Sequence, residues 1–255
     1  MHRRLLFAES PKMAALIEQS VELITSTAFT PVKSEGKTRA GFLRCPGHPI
    51  VFVKQTEVRS KLAGLADFVA GSRASRAIRG ARIIREAGFH CARPLAAMDV
   101  IDGVTIRTSY LMSEALEKAQ ILSHFALGRE GGERHGYARR KSVSDALATE
   151  LRRLHHAGIY TRDLQETNIM VEERDGALRF YFLDLEDFRR AATLSPRRRM
   201  LNLVHLDRSI GRFVSRAGRL DFLYAYLGRK PGREARRKAV ADFLELRQSV
   251  ERQHS

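Results

Sequence analysis

Long apolar runs, cysteine pairs, internal repeats and low-complexity linkers are all missing from this chain. No stretch reaches the roughly 20 apolar residues that a membrane-spanning helix needs. The opening segment, Met1 to Glu9, is basic and then briefly apolar, and Glu9 and Pro11 cut it short of a signal-peptide core. Cys45 and Cys91 are the only cysteines, in no metal-ligand spacing. A disulfide framework is therefore excluded as the organising device, and a reducing cytoplasm is the expected compartment. Acidic residues are also in short supply: 45 Lys and Arg against 29 Asp and Glu leave a net charge of +16. The excess is concentrated, because residues 189–255 carry 17 Lys and Arg against 6 Asp and Glu, or +11. Such a surface attracts polyanions, whether anionic membrane, phosphorylated glycolipid or nucleic acid. The plainer reading is a solvated, solubilising face. Phe213, Phe222, Tyr224, Tyr226 and Phe243 mostly follow helical spacing there and read as core, not as base-stacking platforms, which disfavours nucleic acid.

What is present suffices for a folded protein. Apolar residues make up 44% of 255, enough for a sizeable core. Met13, Leu16, Ile17 and Ile24 mark a first amphipathic helix over residues 12–26. Between residues 30 and 54, Gly36, Gly41 and Pro46-Gly47 separate three short β-prone pieces, the last ending Ile50-Val51-Phe52-Val53-Lys54. A helix follows over 72–87, capped by Ser72 and Gly88, then strands near 93–99 and 105–112. Residues 120–141, rich in glycine, read as a mobile loop, and 143–157 as a strong helix. The remainder is helical and Arg-rich. The expected fold class is thus α+β: a small antiparallel β-rich N-lobe, residues 1–113, and a larger, mostly α C-lobe, residues 114–255.

Chemistry gathers between residues 158 and 188. Asp163 and Asn168 lie five apart on a loop leading into a strand. Asp175-Gly176 fits a two-residue hairpin turn. That register sets Asn168 opposite Leu183, next to Asp184, so oxygen-bearing side chains converge at the open end of one hairpin. Hard oxygen donors of this kind suit Mg²⁺. The spacing is that of a kinase catalytic loop followed by a metal-binding aspartate. In that reading Asp163 orients the acceptor hydroxyl and takes its proton, while Asn168 and Asp184 hold Mg²⁺. Lys54, at the end of an apolar strand, pairs with ATP phosphates, and the loop around Gly36 covers them through backbone N–H groups. Taken singly, Asp163 could be a turn cap and Lys54 a snorkelling strand lysine.

These residues resemble the Kdo/WaaP lipopolysaccharide kinase family, a bacterial branch of the protein-kinase-like fold. The likeness rests on Val51-Phe52-Val53-Lys54, on Ser72-Arg73-Ala74 opening a helix that ends Glu86-Ala87-Gly88, and on Ser109 to Leu116. It continues through Asp163-Leu164-Gln165-Glu166-Thr167-Asn168, Phe182-Leu183-Asp184-Leu185-Glu186 and Asp221 to Leu227. The resemblance implies a two-lobed kinase using ATP and Mg²⁺, with a lipid-linked glycan or small molecule as acceptor. It also implies that residues 111–114, with Met112 and Glu114, meet adenine. The implied location is cytoplasmic, peripheral on the inner face of the cytoplasmic membrane, with an anionic membrane surface as partner. The chain departs from the pattern in three ways. Thr161 stands where the family has His, Ala77 where kinase-like helices carry a glutamate for the lysine, and Asp184-Leu185-Glu186 replaces Asp-Phe-Gly. The missing helix acid keeps a second class open: a pseudokinase, or a nucleotide- or anion-binding module with little transfer. Lys54 itself is expected to reach Asp184 when no nucleotide is bound.

Overall fold

The computed structural model describes residues 1–58, 60–128, 136–228 and 232–252. They form two compact units. The first comprises Met1–Arg82, Ala92–Glu117 and Asp184–Glu186; the second comprises Ile83–Cys91, Lys118–Leu183 and Asp187–Ser255. The sequence places one boundary after Ser113. The first unit runs to Glu117, includes the short 184–186 segment and leaves out 83–91.

In chain order the elements up to residue 114 are β1 (His2–Ala8), α1 (Pro11–Leu23), β2 (Phe29–Glu35), β3 (Thr38–Leu43), β4 (Val51–Glu57), α2 (Lys61–Ala70), α3 (Arg73–Glu86), β5 (His90–Cys91), β6 (Pro94–Asp102) and β7 (Thr105–Glu114). Six of these strands build one antiparallel sheet in the first unit, in the order β1-β6-β7-β4-β3-β2. Helix α1 starts where the side chain of Ser10 accepts from the Met13 N–H and Pro11 takes the first turn. Its Met13, Leu16 and Ile17 join Phe29, Leu43, Val51, Val53, Met98 and Met112 in one buried cluster. Each such large apolar side chain contributes about 1.5–3 kcal/mol on burial. Strand β1 and helix α2 are additions to the sequence reading. The alternating exposure of β1 leaves it one weakly apolar face. Helix α2 packs on β7 through a glycine: a Cβ on Gly64 would lie 2.4 Å from the Ile106 carbonyl oxygen.

The later elements are β8 (Gln120–Ile121), α4 (Leu122–Leu127), α5 (Tyr137–His156), β9 (Ile159–Tyr160), β10 (Ile169–Arg174), β11 (Ala177–Phe182), β12 (Arg189–Arg190), α6 (Pro196–Ile210), α7 (Arg216–Leu227) and α8 (Arg233–Arg252). The second unit carries a four-stranded sheet, β5-β11-β10-β8, the pair β12-β9, and packed helices in which α5 meets α7 and α6 meets α8. Part of the expected loop is structured, since α4 forms and α5 begins at Tyr137, earlier than the apolar pattern suggests. Its first turn is polar, so hydrophobic spacing gives no signal there. Residues 129–135, including Gly131-Gly132, lie outside the described residues. The β10–β11 hairpin follows the expected register, Ile169 facing Phe182 and Arg174 facing Ala177. Asp175 and Gly176, with φ of 53° and 74°, make the turn.

Candidate active site

Lys54 is the central residue of β4, which runs on to Glu57 where the apolar pattern suggests a strand ending at the lysine, and it is flanked by Ala40 on β3 and Leu111 on β7. Its Nζ donates to Asp184 Oδ1 at 2.7 Å and to Glu186 Oε1 at 3.1 Å. The bond to Asp184 is the one expected; the bond to Glu186 is new. Burial alone would lower the Lys54 ammonium's pKa, but the two carboxylates outweigh it and leave it above its ordinary value. Burial pushes Glu186 upward, and the Lys54 charge offsets this only in part. Arg73 and Arg76 of α3 approach the other Glu186 oxygen at 3.6 and 3.9 Å. Arg76 also donates to Asp67 Oδ1 at 2.9 Å and to the Gly71 carbonyl at 2.6 Å. These two arginines therefore belong to an ion cluster. Asp184 holds a left-handed backbone, φ 49°, uncommon outside glycine. An observed outlier of this kind is a pointer to function.

The acid that α3 lacks is supplied by the 184–186 segment. Ala74, Ala77 and Ala81 are buried on that helix, and Gly80 touches the segment: a Cβ there would lie 1.9 Å from the Leu185 carbonyl oxygen. A helix lined with small residues lets the segment come close enough for Glu186 to reach Lys54. The signal in the sequence was Glu186 itself, two residues beyond the metal-type aspartate.

Gly36 and Lys37 form the β2–β3 turn, Glu35 pairing with Thr38. This turn borders a pocket of about 350 Å³ whose lining includes Thr56, Glu57, Asp67 and Arg73. Met112 is fully buried in the apolar cluster beneath α1, so only its main chain is left for a ligand. The Glu114 carboxylate accepts from the Arg93 N–H at 2.9 Å, and the Glu114 N–H donates to the Arg93 carbonyl at 3.0 Å. Its side chain is thus engaged within the sheet.

In the second unit Asp163 is held by amides. Gln165 Nε2 donates to its Oδ1, and Asn168 Nδ2 donates to its Oδ2 at 3.2 Å. The Leu183 N–H closes the hairpin on the Asn168 carbonyl at 2.8 Å, one residue before Asp184. Thr161 is buried, and its hydroxyl accepts from the Asp163 N–H at 3.2 Å. Asn202 of α6 grips Thr161 on both sides, accepting from its N–H at 3.3 Å and donating to its carbonyl at 2.6 Å. Behind Asn202 stands His155, whose Nε2 lies 3.3 Å from Asn202 Oδ1 and whose Nδ1 lies 2.7 Å from the Tyr226 hydroxyl. Burial pushes His155 down to about 4 and Tyr226 up to about 12. His155 is accordingly a neutral strut. Asn202 carries no local motif, and only the packing of α6 brings it to Thr161.

The chain matches the model of the lipopolysaccharide kinase (Kdo/WaaP) family over residues 68–226. No curated protein matches it significantly. Among solved structures, WaaP in complex with acyl carrier protein aligns over 99% of this chain and 100% of that one. The identity is 20% and the TM-score 0.68, a likeness of fold. A Stt7 homolog from Micromonas algae, soaked with ATP, aligns over 62% of this chain and 48% of that one at 17% identity. Its TM-score of 0.41 is too low to bear on the fold.

Proposed function

We propose, from the premise that this chain belongs to the lipopolysaccharide kinase (Kdo/WaaP) family, that it transfers the γ-phosphoryl of ATP to a sugar hydroxyl of lipopolysaccharide core or a related glycolipid. The observation that carries the reading is the contact of Lys54 with Asp184, at a residue whose backbone conformation is itself unusual. Mg²⁺ takes one or two protein oxygens and completes its shell with phosphate and water. The residues present fit that demand. Asn168 commits its amide nitrogen to Asp163 and keeps its carbonyl oxygen as a donor, and Asp184 keeps the oxygen that Lys54 does not take. Among the described residues no three His, Cys, Asp or Glu side chains gather as a metal centre.

When bound, Mg-ATP supplies the transferable phosphoryl group and spreads the charge that develops on it. Asp163 aligns the acceptor hydroxyl and receives its proton as the new oxygen–phosphorus bond forms and the bond from the γ-phosphorus to the β–γ bridging oxygen breaks, releasing ADP. Gln165 and Asn168 fix the direction of that carboxylate. Lys54 stays protonated and exchanges its carboxylate partners for phosphate oxygens. The Gly36 turn lends backbone N–H groups, and Met112 and Glu114 can meet adenine only through main chain. Incubation with γ-labelled ATP, Mg²⁺ and lipopolysaccharide core fractions tests the reading. Label should pass to glycolipid with wild type and not with Asp163→Asn. ATP binding without label on any fraction would assign the chain to nucleotide binding alone.

A second partner follows from the solved WaaP complex: we propose that this chain also receives an acyl carrier protein. The second unit holds a cavity of about 260 Å³ lined by Leu122, Leu147, Leu206, Phe222 and Leu223, with Arg140 and Lys141 also in its lining. That chemistry suits an acyl chain and an anionic carrier. Co-purification of acyl carrier protein with wild type, and its loss in Leu147→Trp, is the expected result.

A further inference from the structure

Helix α2 wears its apolar residues outward. At 100° per residue, Leu62, Leu65, Ala66 and Val69 fall within one third of the helix circumference. All four are exposed, Leu62 and Val69 at 81% and Leu65 at 43% of their maximum. The opposite side is where Gly64 meets β7. Burying glycine while exposing leucine and valine is the reverse of ordinary packing, and contiguous exposed apolar surface marks an interaction face.

The charges around this stripe are mainly basic. Lys61 is exposed at its start, and Asp102, which faces it, is engaged by Arg107 at 2.7 Å. Arg4 lies over the Phe68 ring at 5.3 Å. Arg79 bonds the Ala70 carbonyl at 3.4 Å and is exposed, as is Arg73. The one acid on α2, Asp67, is neutralised by Arg76. An apolar stripe bordered by cations is the composition of a helix that lies in the interface of an anionic bilayer. Among the described residues no helix is long and apolar enough to cross a membrane.

We propose that α2 is a membrane-docking helix, seating Leu62, Leu65 and Val69 in the headgroup region of an anionic bilayer. This deepens the proposed function, whose acceptor is lipid-linked, and adds an apolar contact in the first unit to the charge attraction of the basic tail. The chain has no tryptophan, so Leu65→Trp introduces a unique reporter at the stripe. Its emission should shift to the blue on vesicles containing phosphatidylglycerol, and less on pure phosphatidylcholine. Sedimentation with the phosphatidylglycerol vesicles should fall roughly tenfold or more in the triple variant Leu62→Ser, Leu65→Ser, Val69→Ser. Transfer to a deacylated, soluble acceptor should be unchanged in that variant. Absence of soluble transfer from wild type would count against the kinase reading and leave docking to the vesicle data. Unaltered sedimentation of the triple variant overturns the proposal. So does a reporter silent on anionic vesicles, one that responds equally to phosphatidylcholine, or one that responds to acyl carrier protein instead.

Discussion

Around Lys54 the protein arranges full charges, two carboxylates and two guanidiniums besides the ammonium, on side chains that keep some access to water. Behind Asp163 it arranges neutral groups, a threonine, an asparagine, a histidine and a tyrosine, all buried. The first assembly can exchange partners when an anion arrives, because opposite charges near water are cheap to separate. The second cannot be rearranged without stranding buried donors and acceptors. A phosphate-binding group profits from the former, and a group that must point at one hydroxyl from the latter.

The largest effect expected is at Asp163. Asp163→Asn should lower transfer by about 10³-fold or more while ATP affinity stays near wild type, as read by single-turnover transfer and equilibrium binding. Equal losses in both would break the division of labour. Lys54→Ala should reduce kcat/KM for ATP by about a hundredfold, chiefly through weaker binding. Asn202→Ala strands the Thr161 N–H and carbonyl and should cost about 2–4 kcal/mol in denaturant unfolding. Its kcat should fall about tenfold with KM for ATP unchanged, since it acts only by positioning Thr161 and Asp163.

The neutral assembly also carries a pH signature. The His155 pKa falls from an ordinary 6.5 to about 4 in the folded state. The unfolded chain therefore binds the extra proton first, and stability is lost as pH drops from 6.5 toward 4, by about 3 kcal/mol. Melting temperatures across that range should fall for wild type and flatten for His155→Gln. The smallest effect is expected at Glu86, the only acid of α3. It is exposed at the helix end, and Glu86→Ala should change stability by less than about 0.5 kcal/mol and leave the rate alone.

Much of the α+β, protein-kinase-like fold was legible. Asp175-Gly176 announced a turn through backbone conformation alone, and it set the register that carries Asn168 and Asp184. Lys54 was legible because it closes the apolar stretch Ile50-Val51-Phe52-Val53, although β4 runs on through it to Glu57. What escaped depended on packing. The acid partner was sought on α3 at Ala77, and it stands on Glu186, because small residues on one element and an acid on another are exchangeable solutions to one electrostatic need. Asn202, His155 and Tyr226 come together only through helix packing. Helix α2 escaped because its periodic apolar residues face away from the core, and the sequence does not reveal that the Met112 side chain packs in the core and leaves only its main chain for a ligand.

Gly80 has the contact that joins these observations. With no side chain it lets the Leu185 carbonyl rest against α3, and so it acts as a spacer of zero thickness beneath Asp184 and Glu186. Gly80→Ala would insert a shim of one methyl group there. The shim carries no charge and touches no ligand, yet it would lengthen both Lys54 contacts together. A graded series of small residues at position 80 would thus be a mechanical adjustment of the ion cluster, set from the far side of the segment that bears it.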